Sequence, residues 1–197
     1  MPAAFYLPEG EEGDIPMKIL CFGDSNTWGY DPRGYFGGRY DTPWPEILAE
    51  KTGLHICNLG ENGRQIPNHP IPFPEDTDLL IIMLGTNDLL QGNSPETAAR
   101  RMEAFLRGIG HRILLMAPPP MKRGQWVPDS HLSDASGELA RQYKALSRRL
   151  GVLFADPGEW NIPMAFDGVH MTQEGHSVFA ERLADYLTTE GICYVSK

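Results

Sequence analysis

Five short runs rich in Ile, Leu, Val, Met and Phe break this chain at intervals: 18–22 (KILCF), 54–59 (LHICNL), 78–84 (DLLIIML), 112–117 (RILLMA) and 151–155 (GVLFA). Between them lie stretches with apolar residues at three- and four-residue spacing, such as Leu139, Tyr143, Leu146 and Leu150, then Val178, Phe179, Leu183 and Leu187. This spacing is that of an amphipathic helix, and it predicts helices over 44–52, 95–107, 133–150 and 173–188. Ser94, with Pro95 after it, and Thr172 are suited to cap the last helix and the one beginning at 95. Strands that are apolar on both faces and alternate with helices can be satisfied only by a parallel sheet covered on both sides. The expected fold is therefore α/β, a three-layer α/β/α sandwich around a five-stranded parallel sheet of flavodoxin-like type. At 197 residues the chain suits one domain. Residues 17–197 are expected to form it, after a mobile lead-in at 1–16.

The segments between strands and helices are unequal. Four are long and irregular, 28–43, 60–77, 118–132 and 156–171, and each follows the C-terminal end of a strand. In open α/β sheets that edge is where ligands bind. Four clusters of reactive residue types sit on or beside it: Gly23-Asp24-Ser25-Asn26-Thr27, Asn58-Leu59-Gly60-Glu61-Asn62-Gly63, Gly85-Thr86-Asn87-Asp88 and Asp167-Gly168-Val169-His170. Each alone is an ordinary turn or cap. Together on one rim they supply a hydroxyl, a glycine backbone, a side-chain amide and a carboxylate three residues before an imidazole. A serine hydroxyl needs a base to become a nucleophile, and imidazole suits that task at neutral pH. Asp167 is placed to orient His170, with Asp156 as a weaker rival for that role. Asp24 and Asp88 read as loop organisers, and His176, inside the last helix, as a surface or packing residue.

These four segments resemble the sequence blocks of the SGNH hydrolases, also called the GDSL esterase/lipase family. "FGDSN" is similar to the family's serine block, Gly60 to its glycine block, Gly85-Thr86-Asn87-Asp88 to its G-x-N-D block, and Asp167 with His170 to its D-x-x-H block. The resemblance covers residues 17 to about 188 and is greatest to the bacterial arylesterase and acyltransferase branch. It implies a serine esterase without metal or other cofactor, acting on short, acetyl-type esters through an acyl-enzyme. It implies a triad of Ser25, Asp167 and His170, and an oxyanion hole of the Ser25 and Gly60 backbone N–H groups and the Asn87 amide. Trp28, Trp160 and Phe166 are the expected pocket walls, with Trp126 and Met164 in the same class of rim residue. The family's serine is usually followed by Leu, where this chain has Asn26. The segment 61–77 is shorter than its counterpart in related arylesterases and rich in proline, which predicts loop, and a site either open or covered by a second copy of the chain.

Bulk properties narrow the partners. A formal net charge of −9 disfavours nucleic acid and anionic membranes, and no segment is long and apolar enough for a membrane span. A small ester is the expected partner, with a homo-oligomer as the alternative cover for the site. Cys21, Cys57 and Cys193 show no paired or metal-binding spacing, which predicts a reducing, cytoplasmic setting. Carbohydrate O-deacetylase and lysophospholipase or thioesterase are rival substrate assignments. A non-catalytic phosphate- or nucleotide-binding module is the rival of another class. Such a module has no use for a base and its orienting carboxylate near the C-terminus.

Overall fold

The computed structural model describes residues 17–34 and 37–192. The lead-in at 1–16 and Cys193 lie outside the described residues. Five parallel strands, β1 (Lys18–Gly23), β4 (His55–Gly60), β5 (Leu79–Met83), β6 (Ile113–Met116) and β7 (Leu153–Ala155), form one sheet in the order β4-β1-β5-β6-β7. With the first strand second in space, this is the expected flavodoxin-like arrangement. A small antiparallel pair, β2 (Tyr30–Asp31) and β3 (Gly38–Arg39), was not anticipated and lies within the first rim loop.

Because side chains alternate across a strand, each strand feeds two cores. Leu20, Phe22, Leu80, Ile82 and Leu115 pack on one face against α4 (Pro95–Leu106) and α5 (His131–Leu150), through Met102, Phe105, Leu139 and Tyr143. Ile19, Cys21, Leu79, Ile81 and Leu114 pack on the other against α2 (Trp44–Thr52) and α6 (Gln173–Thr189), through Trp44, Leu48, Phe179 and Leu183. The predicted caps are present: Ser94 accepts from the Thr97 N–H at 3.2 Å and Thr172 from the Gly175 N–H at 3.0 Å. Among the described residues no helix is long and apolar enough to cross a membrane.

Register brings the rim together. Gly23 of β1 pairs with Gly60 of β4 and Met83 of β5, so all three strands end at the same level. The turn after β1 forms α1 (Ser25–Trp28), and the segment after β5 forms α3 (Thr86–Leu90), two short helices where the sequence pattern suggested turns or caps.

His176 belongs to the core, not the surface. It is fully buried between Tyr40 and the start of α2, and its Nδ1 accepts from the Trp44 N–H at 3.3 Å. Nε2 therefore carries the proton in the neutral ring, and it meets no partner among the described residues. Burial first, then the charges of His170 and Arg39, push its pKa from 6.5 down to about 3. As pH falls below about 6.5 the unfolded chain takes up a proton that the folded chain refuses until about 3, so stability declines through that window. Chemical denaturation of the wild type and His176→Gln at pH 7 and pH 4.5 is expected to show the wild type losing about 2–3 kcal/mol more than the variant. Equal losses would mean that His176 titrates normally.

Candidate active site

β1 delivers Ser25 to the rim. The strand ends at Gly23, Asp24 caps α1 by accepting the Asn26 N–H at 3.0 Å, and Ser25 is the first residue of that helix. The Asp24 carboxylate is buried. Burial dominates over the Asn26 bond and the nearby positive charges, raising its pKa from 3.8 to about 6. From the other end of the chain, the turn at 167–170 brings His170 over the serine. Ser25 Oγ lies 2.9 Å from His170 Nε2, and His170 Nδ1 lies 2.6 Å from Asp167 Oδ2. A carboxylate can only accept, so Nδ1 holds the ring proton and Nε2 is left free to accept from the serine hydroxyl. Asp167 Oδ1 accepts the Val169 and His170 N–H groups at 2.9 and 3.0 Å. Burial by itself would raise the Asp167 pKa, but these three bonds together hold it below the ordinary carboxylate value. Asp156 is exposed and caps Gly158 instead, at 2.9 Å.

Asn87, second residue of α3, gives one Nδ2 proton to the Arg64 carbonyl at 3.1 Å and keeps the other. Arg64 braces this rim from below. Its guanidinium donates to the Gly23 carbonyl at 2.9 Å and to the Leu59 carbonyl, and it stacks 4.2 Å from the Phe22 ring centre. Asp88 holds the next segment, accepting the Ile66 N–H at 3.0 Å and pairing with Arg101 at 2.6 Å. It is the loop organiser that its position suggested.

Gly60 requires a correction. Its N–H already donates to Asn58 Oδ1 at 2.9 Å. A Cβ there would lie 2.1 Å from the Trp28 backbone nitrogen, so the glycine makes room for α1 rather than for a substrate. Three residues later Gly63 adopts φ +75°, is exposed, and its N–H has no partner among the described residues. The signal was in the sequence: Asn62-Gly63 is a strong turn dipeptide, and a turn frees an N–H that a strand end does not. The Ser25 N–H is likewise without a partner among the described residues.

The aromatic walls also differ from expectation. Trp160 packs edge-on against Phe179 at 5.4 Å, on the core of one sheet face. Trp28 lies under the Arg39 guanidinium at 5.8 Å. The rings against His170 are Tyr30, at 4.5 Å, which sequence reasoning missed, and Trp126, at 5.4 Å. Phe166 is exposed on the same rim, where Gln125 N–H donates to its carbonyl at 2.9 Å and Trp126 N–H to that of Asp167 at 2.9 Å. Among the described residues Trp126 and Phe166 are the exposed large apolar side chains, about half accessible each.

Residues 21–178 match the GDSL-like lipase/acylhydrolase family. Among solved structures, the native aryl esterase of M. smegmatis is 28% identical, with 88% of this chain and 99% of that chain covered and a TM-score of 0.74. A carbohydrate acetylesterase family member from Sinorhizobium meliloti is 25% identical over 88% and 98% of the two chains, with a TM-score of 0.74. Est24, a carbohydrate acetylesterase from the same organism, is 26% identical over 88% and 99%, with a TM-score of 0.71. No curated protein matches significantly.

Proposed function

The chain belongs to the GDSL-like lipase/acylhydrolase family and is an ester hydrolase, and from that premise we propose that it cleaves short acyl esters, acetyl above all, with Ser25 as nucleophile. The observation that carries this reading is the continuous hydrogen-bonded line from Ser25 Oγ through His170 to Asp167, at 2.9 and 2.6 Å. Ser25 Oγ attacks the ester carbonyl while its proton passes to His170 Nε2. The oxyanion that forms is met by the Ser25 N–H, the Gly63 N–H and the remaining Asn87 amide proton. Each such donor is worth about 3 to 4 kcal/mol of transition-state stabilisation. His170 then hands its proton to the departing alcohol oxygen, leaving an acyl-serine. Water, deprotonated by the same imidazole, attacks that acyl group, and the carboxylic acid departs as Ser25 regains its hydrogen. Asp167 remains ionised throughout and stabilises the imidazolium.

Tyr30 and Trp126 beside His170 offer ring faces to the alcohol portion of the ester. An aryl group or a pyranose fits such faces, and the acetylesterase relatives favour acetylated sugars as a second substrate class. Initial rates on p-nitrophenyl acetate, butyrate, octanoate and palmitate, together with acetate release from acetylated xylosides, test the reading. Rates are expected to fall steadily beyond butyrate. A rate that climbs toward palmitate would replace this reading with a lipase or lysophospholipase, and no cleavage of any ester, with no fluorophosphonate labelling, would return the chain to the binding-module class.

A further inference from the structure

Asn26 follows the proposed nucleophile and is 2% exposed. Its side chain bonds to the backbone of the segment that carries His170. Nδ2 donates to the Val169 carbonyl at 3.0 Å, and Oδ1 accepts from the Met171 N–H at 2.9 Å. These two backbone groups flank His170, so one planar amide grips the chain on either side of the proposed base, much as a neighbouring strand would. Val169 and Met171 are themselves buried, and no water can take over those bonds without space being made for it.

The other bonds of the His170 turn lead elsewhere. Ala165 N–H donates to the His170 carbonyl and Gly168 N–H to the Ala165 carbonyl, within the turn itself. Lys122 and Trp126 donate to the Gly168 and Asp167 carbonyls, which joins the turn to the segment after β6. Among the described residues, the hydrogen bonds between residues 24–29 and the turn are the Ser25–His170 contact and the two made by Asn26. The first must break and reform as the proton moves. The two from Asn26 need not change at any stage of the reaction.

Resting on the Ser25–His170–Asp167 reading, we infer that Asn26 is a positioning residue: it fixes the distance and angle between Ser25 Oγ and His170 Nε2 by clamping the backbone on both sides of the histidine. It does not touch substrate. Misplacing a reacting group by about 1 Å can cost on the order of 10²-fold in rate, so its loss should appear in kcat and leave KM nearly alone.

The test compares wild type, Asn26→Leu, Asn26→Ser and Ser25→Ala on p-nitrophenyl acetate, with kcat of the three proteins that keep Ser25 expressed per active site titrated by a fluorophosphonate and that of Ser25→Ala per mole of protein, at temperatures well below each variant's unfolding midpoint. Leu keeps the volume and loses both bonds. Ser leaves room for a water to bridge Val169 and Met171. The expected order of kcat per site is wild type, then Ser about 10-fold lower, then Leu about 100-fold lower, with KM within about twofold throughout. A packing role predicts the reverse order, because Leu fills the space better. Leu equal to or above Ser, unchanged kcat per site, or a loss confined to KM overturns the inference while an inactive Ser25→Ala leaves the parent reading standing. If Leu fails to fold, the Ser variant decides: a rate per site equal to wild type rejects the clamp. Should Ser25→Ala hydrolyse the ester like wild type, the parent reading falls and this inference with it.

Discussion

Ser25→Ala is expected to abolish ester hydrolysis, with kcat falling on the order of 10⁶-fold, while the fold stays intact. The hydroxyl's one side-chain partner is His170 Nε2, so the deletion leaves a small space and no stranded buried donor. In the proposed mechanism the free N–H groups and the Asn87 amide would still meet the carbonyl oxygen, which predicts a residual rate over water. Rates on p-nitrophenyl acetate, a thermal melt and intact-mass detection of the phosphonate adduct check all parts together. The adduct must disappear with the activity. A variant that keeps its rate would remove Ser25 from the chemistry.

The second large effect is expected of Asp167→Asn. Its Oδ1 can still accept the Val169 and His170 N–H groups, so the turn should hold. The change falls on Oδ2, 2.6 Å from His170 Nδ1. An amide there donates a proton to Nδ1 instead of accepting one, which moves the imidazole proton to Nε2. The ring then points a donor at Ser25 and cannot take the hydroxyl's proton. A loss of about 10⁴-fold in kcat follows, from the wrong tautomer alone. The unfolding midpoint at pH 7 should change far less than the rate. Since Asp167 titrates below the ordinary carboxylate range in the folded chain, its contribution to stability is present at neutral pH and is lost as pH falls through that lowered pKa. The variant should therefore show a shallower acid limb of unfolding. A loss smaller than about tenfold in kcat would mean that Asp167 does not set the tautomer.

Much of this was readable from residue order. The apolar runs are long enough and plain enough to specify strands, and their alternation with helices leaves little choice but a covered parallel sheet. Once the sheet is parallel, every strand's C-terminal end meets on one rim, and Ser25, Asn87, Asp167 and His170 fall there together. What escaped was set by contacts between distant segments. Trp28 and Trp160 look like wall residues because they sit in rim loops, yet Arg39 and Phe179 take their rings. Gly60 looks like the glycine a substrate would need, yet Trp28 makes the close approach. Tyr30 had no local signal, because its approach to His170 depends on how the first rim loop folds back. Asn26 looked like a mere departure from the usual Leu, and only the fold places residues 169 and 171 against it.

Ser25 and His170 are 145 residues apart in the chain and share one hydrogen bond. A polypeptide is synthesised from its N-terminus, and domains begin to fold as they emerge. All five strands of the sheet precede His170 in the chain and are synthesised before it. The proposed nucleophile is therefore made early and has no base beside it until the last turn docks onto the first. Contacts so distant in sequence carry the largest loop-closure cost and tend to form late. During refolding, catalytic activity should return after the sheet's circular dichroism signal, which makes turnover a reporter of the final docking step.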